Sequence, residues 1–121
     1  MRICIIDDNA MVLDALVVLL REQGHEVLPA LHALDGIDLV GAQRPDAVVV
    51  DIELPGMSGI AAAAEIRAAH PTLPIVLTSG RASLPPEAVG AQGADFFLAK
   101  PFTPKTLVAA LLRAQDLRAE A

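Results

Sequence analysis

Four apolar runs in this chain stop in groups that can do chemistry. Ile5-Ile6 ends in Asp7-Asp8, Val48-Val49-Val50 in Asp51, Val76-Leu77 in Thr78-Ser79, and Phe96-Phe97-Leu98-Ala99 in Lys100. If the three carboxylates gather within ~5 Å, each pair repels by about 3 kcal/mol at an effective dielectric near 20. A cation relieves that repulsion, and an all-oxygen ligand set with room for water suits Mg²⁺. Such a cation with the Lys100 ammonium would set two positive centres around one carboxylate, which is the apparatus of phosphoryl transfer. Asp51 is then the candidate nucleophile, since carboxylates form aspartyl phosphates. Ser79 or Thr78 is the candidate hydroxyl donor to a phosphoryl oxygen. Singly, each residue has a plainer reading: an acid at a strand end caps a helix, a lysine there is solvated, a loop serine makes a turn. Their joint occurrence at four strand ends favours one shared site.

The elements that must position these residues follow from periodicity and punctuation. A strand over about Arg2 to Asp7 leads, through capping residues Asp8 or Asn9, into a helix to about Gln23. The stripe Val12, Ala15, Leu16 and Leu19 is predicted to face a sheet, with Leu13 and Val17 off it toward the flank. His25 to Pro29 reads as an edge strand, because proline cannot donate to a ladder. Leu34 to about Gln43 reads as a helix despite Gly36 and Gly41, and Asp46 to Asp51 as a strand covered on both faces. The turn-rich Glu53-Leu54-Pro55-Gly56-Met57-Ser58-Gly59 precedes a helix over Ile60 to about Ala69, and Ile75 to Ser79 is the fourth strand. After Pro85-Pro86 only a short helical window remains, Glu87 to Gln92 with Gly90 inside it, so a poorly held helix is predicted there. Phe96 to Ala99 is the fifth strand. Thr103 then caps, and Pro104 starts, a last helix carrying Leu107, Leu111, Ala114 and Leu117 at helical spacing.

Strand and helix alternating five times imply an α/β fold: a parallel sheet with helices on both faces, joined by right-handed crossovers. Ligands of such sheets sit beyond the carboxyl ends of the strands, where strand order reverses. The 121 residues are expected to form a single domain, 1–121, large enough for a real core. No apolar run approaches the ~20 residues of a membrane span, and the N-terminus is unlike a signal peptide, so a cytoplasmic protein is expected. A net charge of −6, scattered basic residues and the absence of Trp and Tyr argue against direct nucleic-acid binding. Cys4 lies within a strand and reads as a small buried hydrophobe. His25, His32 and His70 share no metal-ligand spacing and read as surface or capping residues.

Taken in order, Asp7-Asp8, Asp51 with Leu54-Pro55-Gly56-Met57-Ser58-Gly59, Ser79-Gly80, and Gly93-Ala94-Asp95-Phe96-Phe97-Leu98-Ala99-Lys100-Pro101-Phe102 resemble the receiver domain of two-component response regulators. The resemblance covers essentially the whole chain and implies a flavodoxin-like doubly wound (βα)5 domain with sheet order 2-1-3-4-5. It implies that Asp51 accepts a phosphoryl group from a phosphohistidine on a sensor histidine kinase or histidine phosphotransfer protein. Mg²⁺ would be held by Asp8, Asp51 and the backbone carbonyl of Glu53, with Asp7 assisting. Lys100 would pair with the phosphoryl oxygens, Ser79 would be the switch hydroxyl and Phe97 the switch aromatic. Lys100-Pro101 corresponds to the family's cis peptide. The surface of the fourth and fifth strands and helices would change for an unidentified downstream protein, and an activation-linked homodimer belongs to the same expectation.

Phe97 departs from the family's common tyrosine and has no hydroxyl to donate. Glu53, two beyond Asp51, and Arg81, two beyond Ser79, are predicted to form an ion pair across the site mouth that slows hydrolysis of the phosphorylated state. Helix one, through Leu13 and Val17, and the loop after strand five are expected to dock the partner. Two other readings compete with a stand-alone switch. One is a receiver excised from a hybrid kinase or longer regulator. The other is a metal-dependent phosphohydrolase with Asp51 as covalent nucleophile, in which Glu53 occupies the position of the usual acid and base.

Overall fold

The valines of the third strand are nearly inaccessible, and the rest of the chain wraps the sheet that contains them. A computed structural model describes residues 1–81, 89–90 and 93–120. Its elements are β1 (Arg2–Ile6), α1 (Ala10–Glu22), β2 (Glu26–Ala30), α2 (Ala33–Gln43), β3 (Ala47–Asp51), α3 (Gly59–Ala69), β4 (Ile75–Ser79), β5 (Phe96–Ala99) and α4 (Pro104–Ala119). The five strands form one sheet in the order β2-β1-β3-β4-β5, and every pairing is parallel. The chain steps outward from β1 to β2 and then crosses back to β3, so the order reverses between β1 and β3. Of the helical window at 87–92, only Val89 and Gly90 are among the described residues, and both are helical. The remainder of that predicted helix, with Pro85-Pro86, lies outside them.

Two apolar clusters cover the two faces, as a parallel sheet requires. On one, α2 and α3 lay Ala33, Val40, Ala62, Ala63 and Ile66 against Cys4, Ile6, Val48, Val50, Ile75 and Leu77. On the other, α1 and α4 pack Leu13, Leu16, Val17, Leu20, Leu107 and Leu111 against Ile3, Ile5, Val49 and Val76. Alternate residues of each strand go to opposite clusters, the two-residue period of a strand. β2 is an edge strand, with Pro29 opposite Ile5, where the missing amide need not meet a second neighbour.

The inward face of α1 differs from the stripe read off the sequence. Leu13 and Val17 are 3% and 8% exposed, whereas Val12 and Leu19 are 37% and 42% exposed. The burying set is Leu13, Leu16, Val17 and Leu20, one residue on from the predicted one. The helix is apolar around most of its girth, so periodicity alone leaves its rotation free, and packing against the sheet and α4 decides it. Leu13 and Val17 are therefore core residues rather than a docking surface.

Caps define the helix starts. Asn9, Ser58 and Thr103 accept from the amides of Val12, Ala61 and Thr106 respectively, and Pro104 occupies the first turn of α4. Two glycines are explained by close approach. A Cβ on Gly36 would fall 2.2 Å from Ile6 Cδ1, so α2 rides directly on β1 there. A Cβ on Gly59 would fall 1.9 Å from the Asp51 backbone carbonyl, so α3 begins against the residue that carries the central carboxylate.

Candidate functional site

Parity along three strands brings the charges together. Asp7 continues the phase of Ile3 and Ile5, Asp51 that of Ala47 and Val49, and Lys100 that of Phe96 and Leu98, all on the α1–α4 side of the sheet. Lys100 Nζ donates to Asp7 Oδ2 at 2.7 Å and to Asp51 Oδ2 at 2.9 Å. The other oxygens of these carboxylates are held by the main chain: the Asn9 amide donates to Asp7 Oδ1 at 2.9 Å and the Glu53 amide to Asp51 Oδ1 at 3.1 Å. Asp7 and Asp51 are buried, while Asp8 is exposed at the rim. Each of the three offers an oxygen within 4.8 Å of the others.

Burial pushes the Asp51 carboxyl above its ordinary value of 3.8, against the pull of the Lys100 ammonium. Burial also opposes the charge on Lys100, but its hydrogen bonds to Asp7 and Asp51 prevail and hold it above the usual lysine value. The structure thus keeps a carboxyl of raised pKa, a charged ammonium and two more carboxylates within one small volume. An all-carboxylate oxygen set of this kind fits a hard divalent cation such as Mg²⁺ or Ca²⁺. By contrast, the Cys4 thiol is pushed up to about 12 by burial and stays out of the chemistry.

The end of β4 meets the loop after β3. Ile52 N donates to Thr78 O at 2.8 Å, fixing the first step of that loop beside Asp51. Ser79, on the opposite strand phase from Thr78, donates its hydroxyl to Glu53 Oε1 at 2.7 Å, and the Gly80 amide donates to the same oxygen at 3.2 Å. The Arg81 amide in turn donates to Ser79 Oγ at 3.0 Å. The Glu53–Arg81 ion pair expected from the sequence is not among the ion pairs of the described residues. Its acid is taken by Ser79 and Gly80, which stand closer to Glu53 in the fold than spacing from Asp51 reveals. Phe97 is half-buried and packs on the α2–α3 side of the sheet. The Lys100–Pro101 peptide is cis.

The fold brings Asp7, Asp8, Asp51 and Lys100 together, as their places at strand ends predict. Those places do not reveal the Glu53–Ser79 hydrogen bond, whose only sequence signal is that both residues flank the carboxyl ends of neighbouring strands. Beside Lys100 opens an apolar cleft of ≈ 480 Å³ lined by Val12, Leu16, Gly80, Lys100, Pro101 and Phe102. The loop after β5 borders it, as expected. On α1 it is Val12 and Leu16, rather than Leu13 and Val17, that reach it.

Residues 3–112 match the family model of the response regulator receiver domain. The transcriptional regulatory protein PrrA of Mycobacterium tuberculosis is 36% identical over 116 residues, which is 93% of this chain and 50% of that protein. The response regulator MprA of Mycobacterium avium is 34% identical over 117 residues, 93% of this chain and 51% of that protein. The chain thus spans about half the length of these curated relatives. Among solved structures, a CheY-like receiver domain protein from Methanospirillum hungatei superposes with a TM-score of 0.88 at 28% identity, covering 98% of this chain and 96% of that one. A response regulator from Burkholderia pseudomallei, solved with a phosphorylated aspartic acid, a calcium ion and citrate, gives a TM-score of 0.84 at 30% identity over 98% of this chain and 71% of that one. Parallel strands in the order 2-1-3-4-5, the acidic site at the reversal and these matches agree: the chain belongs to the family of response regulator receiver domains of two-component systems.

Proposed function

We propose that this chain is a phosphoacceptor switch in which Asp51 takes a phosphoryl group from a phosphohistidine on a histidine kinase or histidine phosphotransfer protein. The observation that carries the reading is the Lys100 ammonium shared between two buried carboxylates, Asp7 and Asp51, with exposed Asp8 beside them. The phosphorylated aspartic acid and calcium ion of the Burkholderia pseudomallei neighbour support it. An Asp51 oxygen attacks phosphorus, the P–N bond to the donor imidazole breaks, and its electron pair stays on the imidazole nitrogen. Lys100, anchored by Asp7, meets charge on the phosphoryl oxygens. Asp8, Asp51 and the Glu53 backbone carbonyl would hold Mg²⁺, with Asp7 assisting, and the ion would neutralise charge on the transferred group. Ser79 then donates to a phosphoryl oxygen, and Phe97 with the chain after β4 adjusts to it.

The donor docks over the cleft beside Lys100, where Val12 and Phe102 offer apolar contact. The output is a changed surface around β4, β5 and α4 for a downstream protein or a second copy of the chain, in the cytoplasm and without direct contact to nucleic acid. The half-length match to the curated relatives supports a second reading, that the domain serves within a longer regulator. A phosphohydrolase is disfavoured because residues 3–112 match the receiver-domain family model. No helix among the described residues is long and apolar enough to cross a membrane. Turnover tests the switch: with Mg²⁺ and acetyl phosphate the protein should take up one phosphoryl group per chain, and it should not release phosphate continuously from p-nitrophenyl phosphate. Sustained multiple turnover of that ester would replace this reading with the hydrolase.

A further inference from the structure

The Ser79 hydroxyl is directed at a carboxylate that is not the phosphoacceptor. Glu53 Oε1 lies 2.7 Å from Ser79 Oγ and 3.2 Å from the Gly80 nitrogen, so one anionic oxygen collects both donors at the end of β4. A phosphoryl oxygen on Asp51 would ask for the same donors, being an anionic acceptor of similar reach. The other oxygen, Glu53 Oε2, is buried with no hydrogen-bond partner among the described residues. A buried carboxylate oxygen without a partner carries a desolvation cost, which is removed when the side chain moves out to water. Main-chain geometry allows that departure. The Glu53 amide is tied to Asp51 Oδ1 while its side chain points across to β4, so the carboxylate can swing out without disturbing the backbone hold on Asp51.

We propose that the Glu53 carboxylate is an internal stand-in for the phosphoryl group: it latches Ser79 and Gly80 in the unphosphorylated state and must be displaced before Ser79 can turn to Asp51. Glu53 is thus a positioning residue that acts through Ser79 and sets the switch equilibrium toward the resting state. Its ionic repulsion of an incoming dianion adds to the effect but does not depend on Ser79. The inference rests on the reading of Asp51 as phosphoacceptor.

A double-mutant cycle separates the two contributions. Beryllofluoride with Mg²⁺, a tetrahedral phosphoryl analogue, is titrated into the wild-type protein, Glu53→Ala, Ser79→Ala and the double variant, with Glu53→Gln as a shape-conserving control. Breaking a charge-assisted hydrogen bond is expected to change affinity by about tenfold. Glu53→Ala should therefore tighten binding about tenfold more in the presence of Ser79 than in the Ser79→Ala background, because relief of charge repulsion acts in both and cancels. Glu53→Gln, which keeps an acceptor oxygen but loses the charge, should fall between wild type and Glu53→Ala. In the metal-free protein, the Gly80 amide resonance should shift in Glu53→Ala. Equal tightening in both backgrounds overturns the latch while leaving the Asp51 reading intact. Failure of the wild-type protein and of Glu53→Ala to bind the analogue overturns the Asp51 reading and the latch with it.

Discussion

Asp51 gives up nearly all contact with water and receives in exchange one ammonium hydrogen bond and one amide. Burial outweighs Lys100, so the folded protein holds a proton on Asp51 more tightly than the unfolded chain does. The contribution of this group to stability is therefore fully present below the ordinary aspartate value of 3.8 and is lost as pH rises through the higher folded value. At neutral pH the metal-free protein bears the cost of an ionised, buried acid beside Asp7. Asp51→Asn removes that charge and keeps an acceptor for Lys100. It should stabilise the metal-free protein by about 1 kcal/mol at pH 7, a gain that fades toward pH 3. Urea unfolding with and without Mg²⁺ checks it, and the metal should stabilise the wild type more than the variant. Loss of stability in the variant at neutral pH would mean that Lys100, rather than burial, governs Asp51.

At the scale of elements, an ionic knot opposite the site joins α3, β4, β5 and α4. Asp95, just before β5, accepts from Arg67 Nη2 and from the Ile75 amide, each at 2.8 Å, and its Oδ1 lies 2.7 Å from Arg118 Nε. Arg67 further donates to the carbonyls of Gly93 and Leu73. Asp95→Ala strands a half-buried guanidinium and a strand amide and should cost about 3–5 kcal/mol, whereas Arg118→Ala, at the more open end, should cost about 1 kcal/mol. Urea midpoints measure both, and similar costs would show that the knot is not centred on Asp95. Nothing in the local pattern announces this knot, because its members are 28 and 23 residues apart. The extents of β4 and β5 are legible in the sequence, since Ile75 to Ser79 and Phe96 to Ala99 are apolar runs cut off by polar or turn residues on both sides. The rotation of α1 is not, because its apolar residues populate adjoining stripes and only packing against the sheet and α4 selects Leu13 and Val17. The Glu53–Arg81 pairing fails for a related reason: spacing places both residues at the mouth, but which donor reaches the acid depends on the path of the chain beyond Ser79.

Over the whole molecule, chemistry and support lie at opposite ends of one parallel sheet. The carboxyl ends of β1, β3, β4 and β5 present Asp7, Asp51, Ser79 and Lys100, and the Asp95 knot secures the other end of β4 and β5. On the proposed reading, a phosphoryl group at the acidic end would act on Ser79 and Glu53 against a firmly held base. The central claim is that Asp51 is consumed and regenerated as a signal. Its most direct measurement is peptide-level mass spectrometry after incubation with Mg²⁺ and acetyl phosphate, comparing wild type with Asp51→Asn. The account predicts one base-labile phosphoryl group on the peptide containing Asp51, dependent on Mg²⁺ and absent from the variant. Undiminished labelling of Asp51→Asn, or labelling at another residue in the wild type, would contradict it.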